Sequence, residues 1–288
     1  MNLLMFGARG RLGTICREVL ARLDAGVICL EHQRDGSFLR REDGCEPAAR
    51  VERHELARQA GSQPWVFVDA SVDHRSTEAL LRHEADKAAL CEQLDRASLL
   101  DRAIGFSSGI AHLPARNIRA DHPHMLAYRE VKLRQMDLYA GLRCPAFLPS
   151  IFTLVGPVTY ARQAAAWARI LAERVRAQEP SVIHDPFSRR FWVDEATVAQ
   201  ALSGFAAGDH PASVRGPLVD GSFCLDDVAR LPLAAGHPAL RYRVGVSDSW
   251  CIGDYVCDHD FPPGRELAVC LDAALDPQTS PPLHAHHL

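Results

Sequence analysis

No apolar run in this 288-residue chain approaches the roughly 18 residues needed to cross a bilayer, so no membrane partner is expected. An excess of basic charge is also missing. Lys and Arg total 32 against 36 Asp and Glu, a formal charge of −4, which excludes the electrostatic footprint of a nucleic-acid binder. The nine cysteines are odd in number and none forms a C-x-x-C pair. That excludes a disulfide framework and a zinc knuckle and points to reduced thiols in the cytoplasm. The run Met1 to Phe6 is too short for a signal-peptide core and has no basic flank. There is no internal repeat and no low-complexity segment. Histidines concentrate only in the tail at 283–288, which reads as a frayed terminus, and no metal site is expected. What remains is a globular composition, 47% hydrophobic and 24% charged, too apolar for a disordered chain.

The first half alternates strand and helix signals. Leu3 to Phe6, Val27 to Leu30, Val66 to Val68 and Ala103 to Phe106 are short apolar runs suited to buried parallel strands. Helical spacing fills 11–23, 76–98 (opening on the cap residues Ser76 and Thr77) and 127–141. Such repetition predicts an α/β fold, a doubly wound parallel sheet of Rossmann type covered by helices on both faces. After Pro157 the pattern changes to a long helix at about 158–178, then Pro- and Gly-rich loops, then a last helix beyond Gly264. The expected layout is a dinucleotide-binding domain at 1–157 and a smaller substrate-binding region at 158–288.

Between the first strand and the first helix lies Gly7-Ala8-Arg9-Gly10-Arg11-Leu12-Gly13, a G-x-x-G-x-x-G turn. Its glycines permit a tight turn, close backbone approach to a pyrophosphate, and close helix–strand packing. The helix N-terminus then offers free N–H groups to phosphates. Glu31 ends the second strand, where a carboxylate can accept hydrogen bonds from the adenosine ribose. This favours NAD; Arg9 and Arg34 could each pair with a 2′-phosphate, which keeps NADP as the alternative.

Tyr128 and Lys132 form a Y-x-x-x-K pair on one helix face. An ammonium beside a phenol favours its ionised form, which suits proton exchange with a substrate hydroxyl or carbonyl. Ser107 and Ser108 follow an apolar strand, at the carboxyl edge of the sheet where open α/β folds bind ligands. A serine hydroxyl there can polarise a carbonyl.

With the glycine turn, the serine strand end and the Tyr–Lys helix in this order, the chain resembles the extended short-chain dehydrogenase/reductases, the NAD-dependent epimerase/dehydratase family. The opening Met1-Asn2-Leu3-Leu4-Met5-Phe6-Gly7 is similar to the dTDP-4-dehydrorhamnose reductase branch. Phe147 to Pro157 resembles the family's strand and loop after the Tyr–Lys helix, and Phe191-Trp192-Val193-Asp194-Glu195 its later V-D-D helix start.

The resemblance implies Ser108 as the catalytic serine, with Ser107 the adjacent alternative contacting substrate, Tyr128 as acid/base and Lys132 as its partner. It implies a cofactor site of Gly7, Arg9, Gly10, Arg11, Leu12, Gly13, Glu31, Ala70, Lys132 and Pro149. Its substrates are commonly nucleotide sugars, for which Arg190 ranks first among the diphosphate candidates Arg189, Arg190, Arg241 and Arg243. It also implies a homodimer. The expected activity is an NAD(P)-dependent oxidoreductase interconverting a carbonyl and a secondary alcohol on a sugar-like small molecule. The alternatives are an NAD-dependent epimerase and a catalytically inactive dinucleotide-binding sensor. The chain departs from the family in two places. Asp69-Ala70-Ser71 stands where Asn-Ala-Ala or Leu-Ala-Ala is usual, and Glu84 or a neighbour stands where the central helix usually carries asparagine.

Overall fold

The computed structural model describes residues 2–21, 26–33, 37–42, 49–51, 55, 64–156, 181–183, 186–208, 213–224, 226 and 242–244. The helices expected at 158–178 and beyond Gly264, Arg34, Arg241, the Arg243 side chain and the histidine tail lie outside these residues. Two compact units are present. The first comprises Met1–Ala111, Ala120–Ser150 and Ala199–Pro217, and the second His112–Arg119, Ile151–Val198 and Leu218–Leu288.

The first unit is the doubly wound α/β layer. Its elements are β1 (Asn2–Phe6), α1 (Arg11–Leu20), β2 (Gly26–His32), β3 (Phe38–Glu42), β4 (Ala49–Val51), β5 (Trp65–Asp69), α2 (Thr77–Arg96), β6 (Leu100–Gly105), β7 (Ser107–Ser108), α3 (Pro123–Gly141) and β8 (Ala146–Ile151). A strand from much later in the chain, β12 (Ser213–Pro217), completes the sheet. The order is β12-β8-β6-β5-β1-β2-β3-β4, with β7 paired to β8. From β12 to β2 the neighbours are parallel, whereas β2, β3 and β4 form an antiparallel edge. The apolar runs expected as strands are all in place. The β3–β4 hairpin was not foreseen, because Phe38-Leu39-Arg40-Arg41-Glu42 shows neither sustained alternation nor a buried run. Helix α3 starts at Pro123, ahead of the expected 127. Proline suits the first helical turn, where its missing N–H would have no intrahelical partner.

β1 and β5 lie at the centre of the sheet, which explains their continuous apolar runs. The core on one face gathers Leu4, Phe6, Ile28, Leu30, Phe38, Phe67, Leu90, Cys91 and Leu94. Phe6 meets Phe38 edge-on at 5.5 Å between ring centroids and Phe67 at 5.8 Å, separations at which aromatic pairs attract.

The second unit includes β9 (Leu154–Val155), β10 (Ser181–Ile183), β11 (Arg190–Asp194), β13 (Gly221–Phe223) and β14 (Tyr242–Val244). They form a three-stranded sheet, β13-β11-β9, and a two-stranded one, β10-β14. The Asp220 carboxylate accepts hydrogen bonds from the Asp194 N–H at 2.7 Å and Thr197 Oγ1 at 3.0 Å. It thereby secures the start of α4 (Glu195–Ala207).

Both ends of α2 have recognisable causes. Ser76 Oγ accepts from the Ala79 N–H at 3.0 Å, an N-cap. At the other end the Ser98 N–H donates to Asp95 O and the Leu99 N–H to Leu94 O, both at 2.9 Å. This is a Schellman ending, which needs a left-handed residue. That residue is Ser98, at φ 57°, a conformation glycine adopts at no steric cost. Ser98→Gly is therefore expected to raise stability by about 0.5–1 kcal/mol, read as a higher urea midpoint at unchanged m-value.

Candidate active site

The direction in which the chain winds outward reverses between β1 and β5, so the crevice at their carboxyl ends is the topological switch point, where such sheets bind ligands. The glycine turn follows β1 there. Gly7 has φ 76°, and a Cβ on it would stand 2.5 Å from Ala70 O. A Cβ on Gly13 would collide with Gly7 O. The Gly10 N–H closes the turn onto Gly7 O at 2.8 Å, and the Ala70 N–H donates to Phe6 O at 3.1 Å. Arg11, Leu12 and Gly13 form the first turn of α1. Gly10 provides no side-chain cap and the first turn holds no acidic residue, so the positive end of the helix is left for an anion. Arg9 reaches Glu31 at 3.8 Å, both side chains being solvent-exposed.

Tyr128 and Lys132 are on α3 in the same unit. The Lys132 side chain is buried. Its ammonium lies 5.8 Å from the Tyr128 ring centroid and donates to Phe106 O and Gln135 Oε1, both at 3.0 Å. Phe106 directly precedes Ser107 and Ser108, so Lys132 ties α3 to the strand end that carries the serines. Ser108 Oγ accepts weakly from the Ile110 N–H at 3.4 Å. Ser107 is buried, and its hydroxyl has no hydrogen-bond partner among the described residues. Pro149 is buried in β8. Arg190 opens β11 in the second unit. The structure thus joins Gly7 to Ala70, Arg9 to Glu31, and Lys132 both to the Tyr128 ring and to the carbonyl that leads into the serines.

Behind these residues lies a cluster built on the two departures, Asp69 and Glu84, whose partners Lys87 and Gln135 the motifs did not indicate. Asp69, the last residue of β5, is only 5% exposed. Its Oδ1 accepts from Lys87 Nζ at 2.6 Å and its Oδ2 from Gln135 Nε2 at 3.0 Å. Lys87 on α2 also donates to Ser71 O at 2.7 Å and stands 2.8 Å from Glu84 Oε1. That last contact is an ion pair without hydrogen-bond alignment, since Glu84 Oε1 has no partner by angle. Burial alone would push the Asp69 carboxyl up, but the Lys87 and Lys132 ammonium groups outweigh it and hold the carboxyl below its usual range. Burial alone would pull Lys87 down, but Asp69 and Glu84 outweigh it and hold the ammonium above its usual range. The available signal was polar residues on the apolar face of α2. Lys87 recurs at helical spacing with Leu80, Leu90, Cys91 and Leu94, all buried.

A second unforeseen group flanks Tyr128. The His74 ring meets the Tyr128 ring at 4.8 Å, and His74 Nδ1 lies 3.2 Å from His124 Nε2. Burial, then the fields of His124 and Lys132, hold His74 below the usual imidazole range.

No family model and no curated protein matches the chain. Solved structures do match. The Bordetella bronchiseptica enzyme WbmG in complex with NAD and UDP aligns at TM-score 0.63 and 14% identity over 96% of this chain and 94% of that one. The UDP-glucose 4-epimerase of Thermotoga maritima with UDP-glucose aligns at 0.66 and 14%, over 95% and 97%. The UDP-glucuronic acid 4-epimerase of Bacillus cereus in complex with NAD aligns at 0.62 and 13%, over 95% and 94%. The chain shares the fold of these enzymes. The resemblance read from the glycine turn and the Tyr–Lys helix therefore holds at the level of the fold. Within this fold, among the described residues, no helix is long and apolar enough to cross a membrane, and no cluster of three or more His, Cys, Asp or Glu could hold a metal ion.

Two stability experiments probe the buried cluster. Lys87→Met takes the ion-pair partner from the buried Asp69 and Glu84 carboxylates and is expected to cost about 3–5 kcal/mol, measured by urea unfolding at pH 7. His83 on α2 is buried and bonded to Ser71 Oγ at 2.9 Å. Burial, then Lys87, lower its pKa to about 3. The unfolded chain binds this proton near pH 6.5, whereas the folded chain does not until about pH 3. Its contribution is thus full above pH 6.5 and is lost as pH falls towards 3, by about 1.4 kcal/mol per unit. Unfolding free energies at pH 6.5, 5.5 and 4.5 should fall more steeply in the wild type than in His83→Gln; equal slopes would contradict this.

Proposed function

We propose that the chain is an NAD(P)-dependent oxidoreductase that interconverts a carbonyl and a secondary alcohol on a sugar, with nucleotide sugars as the substrate class. The observation that carries this reading is the placement of Lys132. One ammonium lies beside the Tyr128 ring and bonds the carbonyl leading into Ser107 and Ser108, in the same unit as a glycine turn at the switch point of the sheet. The residues fit a dinucleotide. The uncapped positive end of α1 suits a pyrophosphate, and Glu31 at the end of β2 suits the ribose hydroxyls. Glu31 favours NAD; Arg9, 3.8 Å from it, is the residue that would meet a 2′-phosphate if NADP were used. Leu12 and Pro149 are assigned to the cofactor by position in the fold, and Arg190 to a substrate diphosphate.

A bound nicotinamide supplies or accepts the hydride. Tyr128 holds the proton that moves to or from the substrate oxygen. Ser108, or its neighbour Ser107, donates a hydrogen bond to that oxygen and stabilises the charge developing on it. Lys132 orients the cofactor ribose and keeps positive charge beside the phenol. The structural neighbours support this reading: WbmG is in complex with NAD and UDP, and two others are 4-epimerases of UDP-sugars. The latter two favour the second reading, an epimerase that retains its NAD. The two readings separate on cofactor turnover, because a reductase consumes NAD(P)H stoichiometrically and an epimerase consumes none.

The deciding experiment screens nucleotide sugars with NADH and NADPH, then repeats the active combination with Tyr128→Phe. Turnover should drop at least about 100-fold, with NAD affinity by calorimetry within twofold of the wild type. Surviving turnover would remove Tyr128 from the chemistry. A wild type that binds dinucleotide but converts no substrate would point to the sensor class.

A further inference from the structure

Lys132 is a buried cation whose two hydrogen bonds go to neutral oxygens, Phe106 O and Gln135 Oε1. Among the described residues no carboxylate pairs with it directly. A buried charge without compensation is costly; the compensating carboxylate is Asp69, which feels the field of Lys132 without touching it. Gln135 is buried and touches both Lys132 and Asp69. Only one orientation of its amide satisfies both neighbours, because the ammonium needs an acceptor and the carboxylate needs a donor. The orientation is therefore set by chemistry: Oε1 faces Lys132 and Nε2 faces Asp69.

The rest of the cluster anchors Asp69 in turn. Lys87 uses Asp69, Ser71 O and the adjacent Glu84 carboxylate. The group is balanced, with two ammonium groups against two carboxylates, and Gln135 is the neutral link between its halves. A carboxylate in direct contact would cancel the field of Lys132 and occupy its donors. One intervening amide supplies compensation and leaves the third N–H of Lys132 uncommitted.

We propose that Asp69 and Gln135 are positioning residues for Lys132: the Asp69 carboxylate orients the Gln135 amide, and that amide holds the ammonium beside Tyr128 with one N–H available to a cofactor hydroxyl. This rests on the reading of Tyr128 and Lys132 as the working pair. The two departures from the family pattern, Asp69 and Glu84, are then parts of one device, both gripping Lys87.

Asp69→Asn tests the chain of action from a distance. An amide at 69 would turn one of its own donors towards Gln135, and the Gln135 amide would have to flip and aim its NH2 at the ammonium. Gln135→Met removes the link. The first readout needs no substrate: the side-chain 15N ammonium resonance of Lys132 in lysine-labelled protein, assigned by its loss in Lys132→Arg. It should move or broaden away in both variants, while the wild type keeps it. The second is a double-mutant cycle on kcat. Each single change should lower kcat about ten- to hundredfold with substrate KM within threefold, and the double variant should fall well short of the product of the two losses, because the part of the Asp69 effect that reaches Lys132 passes through residue 135. If Gln135→Met does not fold, Gln135→Asn carries the same test, since its amide is one methylene too short to span both partners. An unmoved Lys132 resonance in a folded variant, or kcat losses that multiply in the double variant, would overturn the proposal. A wild type without NAD-dependent turnover would instead overturn the functional reading, and the resonance would still decide the positioning.

Discussion

The ion pair between Lys87 and Asp69 is the constraint on which the centre of the molecule depends. It places a carboxylate at the end of β5, a strand buried along its whole length, and a lysine on the inner face of α2. Neither charge is tolerable there alone. Paired at 2.6 Å, they fix what surrounds them. Lys87 takes Ser71 O as a further acceptor and so holds the loop after β5. That loop carries Ala70, whose carbonyl oxygen defines how closely the backbone of Gly7 may approach. The other oxygen of Asp69 takes Gln135 and, through it, α3. One polar pair thereby links the glycine turn to the helix bearing Tyr128 and Lys132.

The joining of α2 to α3 is accordingly polar at its deepest point and apolar around it. Leu90, Cys91 and Leu94 pack towards the sheet, while Lys87, Asp69 and Gln135 form the inner contact. Hydrophobic burial is non-directional and would permit small slips of one helix along the other. The hydrogen-bonded chain is directional, and a slip would leave a buried charge unpaired. This is a physical reason for a site that needs Lys132 at a defined place to rest on such a chain rather than on aliphatic packing.

Much of the architecture was legible in the residues. The short apolar runs marked the parallel strands β1, β2, β5 and β6, Gly7 to Gly13 marked the strand-to-helix turn, and Ser76 marked the start of α2, because each signal is local: it depends on neighbours within one turn or one strand. The β3–β4 hairpin carried no such signal and became definite only by pairing with β2. In the candidate site the Y-x-x-x-K spacing was legible for the same local reason. Asp69 and Glu84 were visible only as departures from a familiar pattern. That each is answered by Lys87, and Asp69 also by Gln135, could not be read along the chain, since Gln135 lies 66 positions from Asp69 and the charge of one explains the presence of the other only when they touch.

The amino-acid sequence alone determined the alternation of strand and helix, the glycine turn and the four-residue spacing of tyrosine and lysine, because periodicity and backbone conformational freedom are properties of short segments. Tertiary structure alone decided which buried charges meet, where the serine strand end stands relative to the lysine, and which way the Gln135 amide faces. Those outcomes depend on satisfying polar groups taken out of water, and the partners that satisfy them are supplied by the folded sheet and its helices rather than by neighbours along the chain.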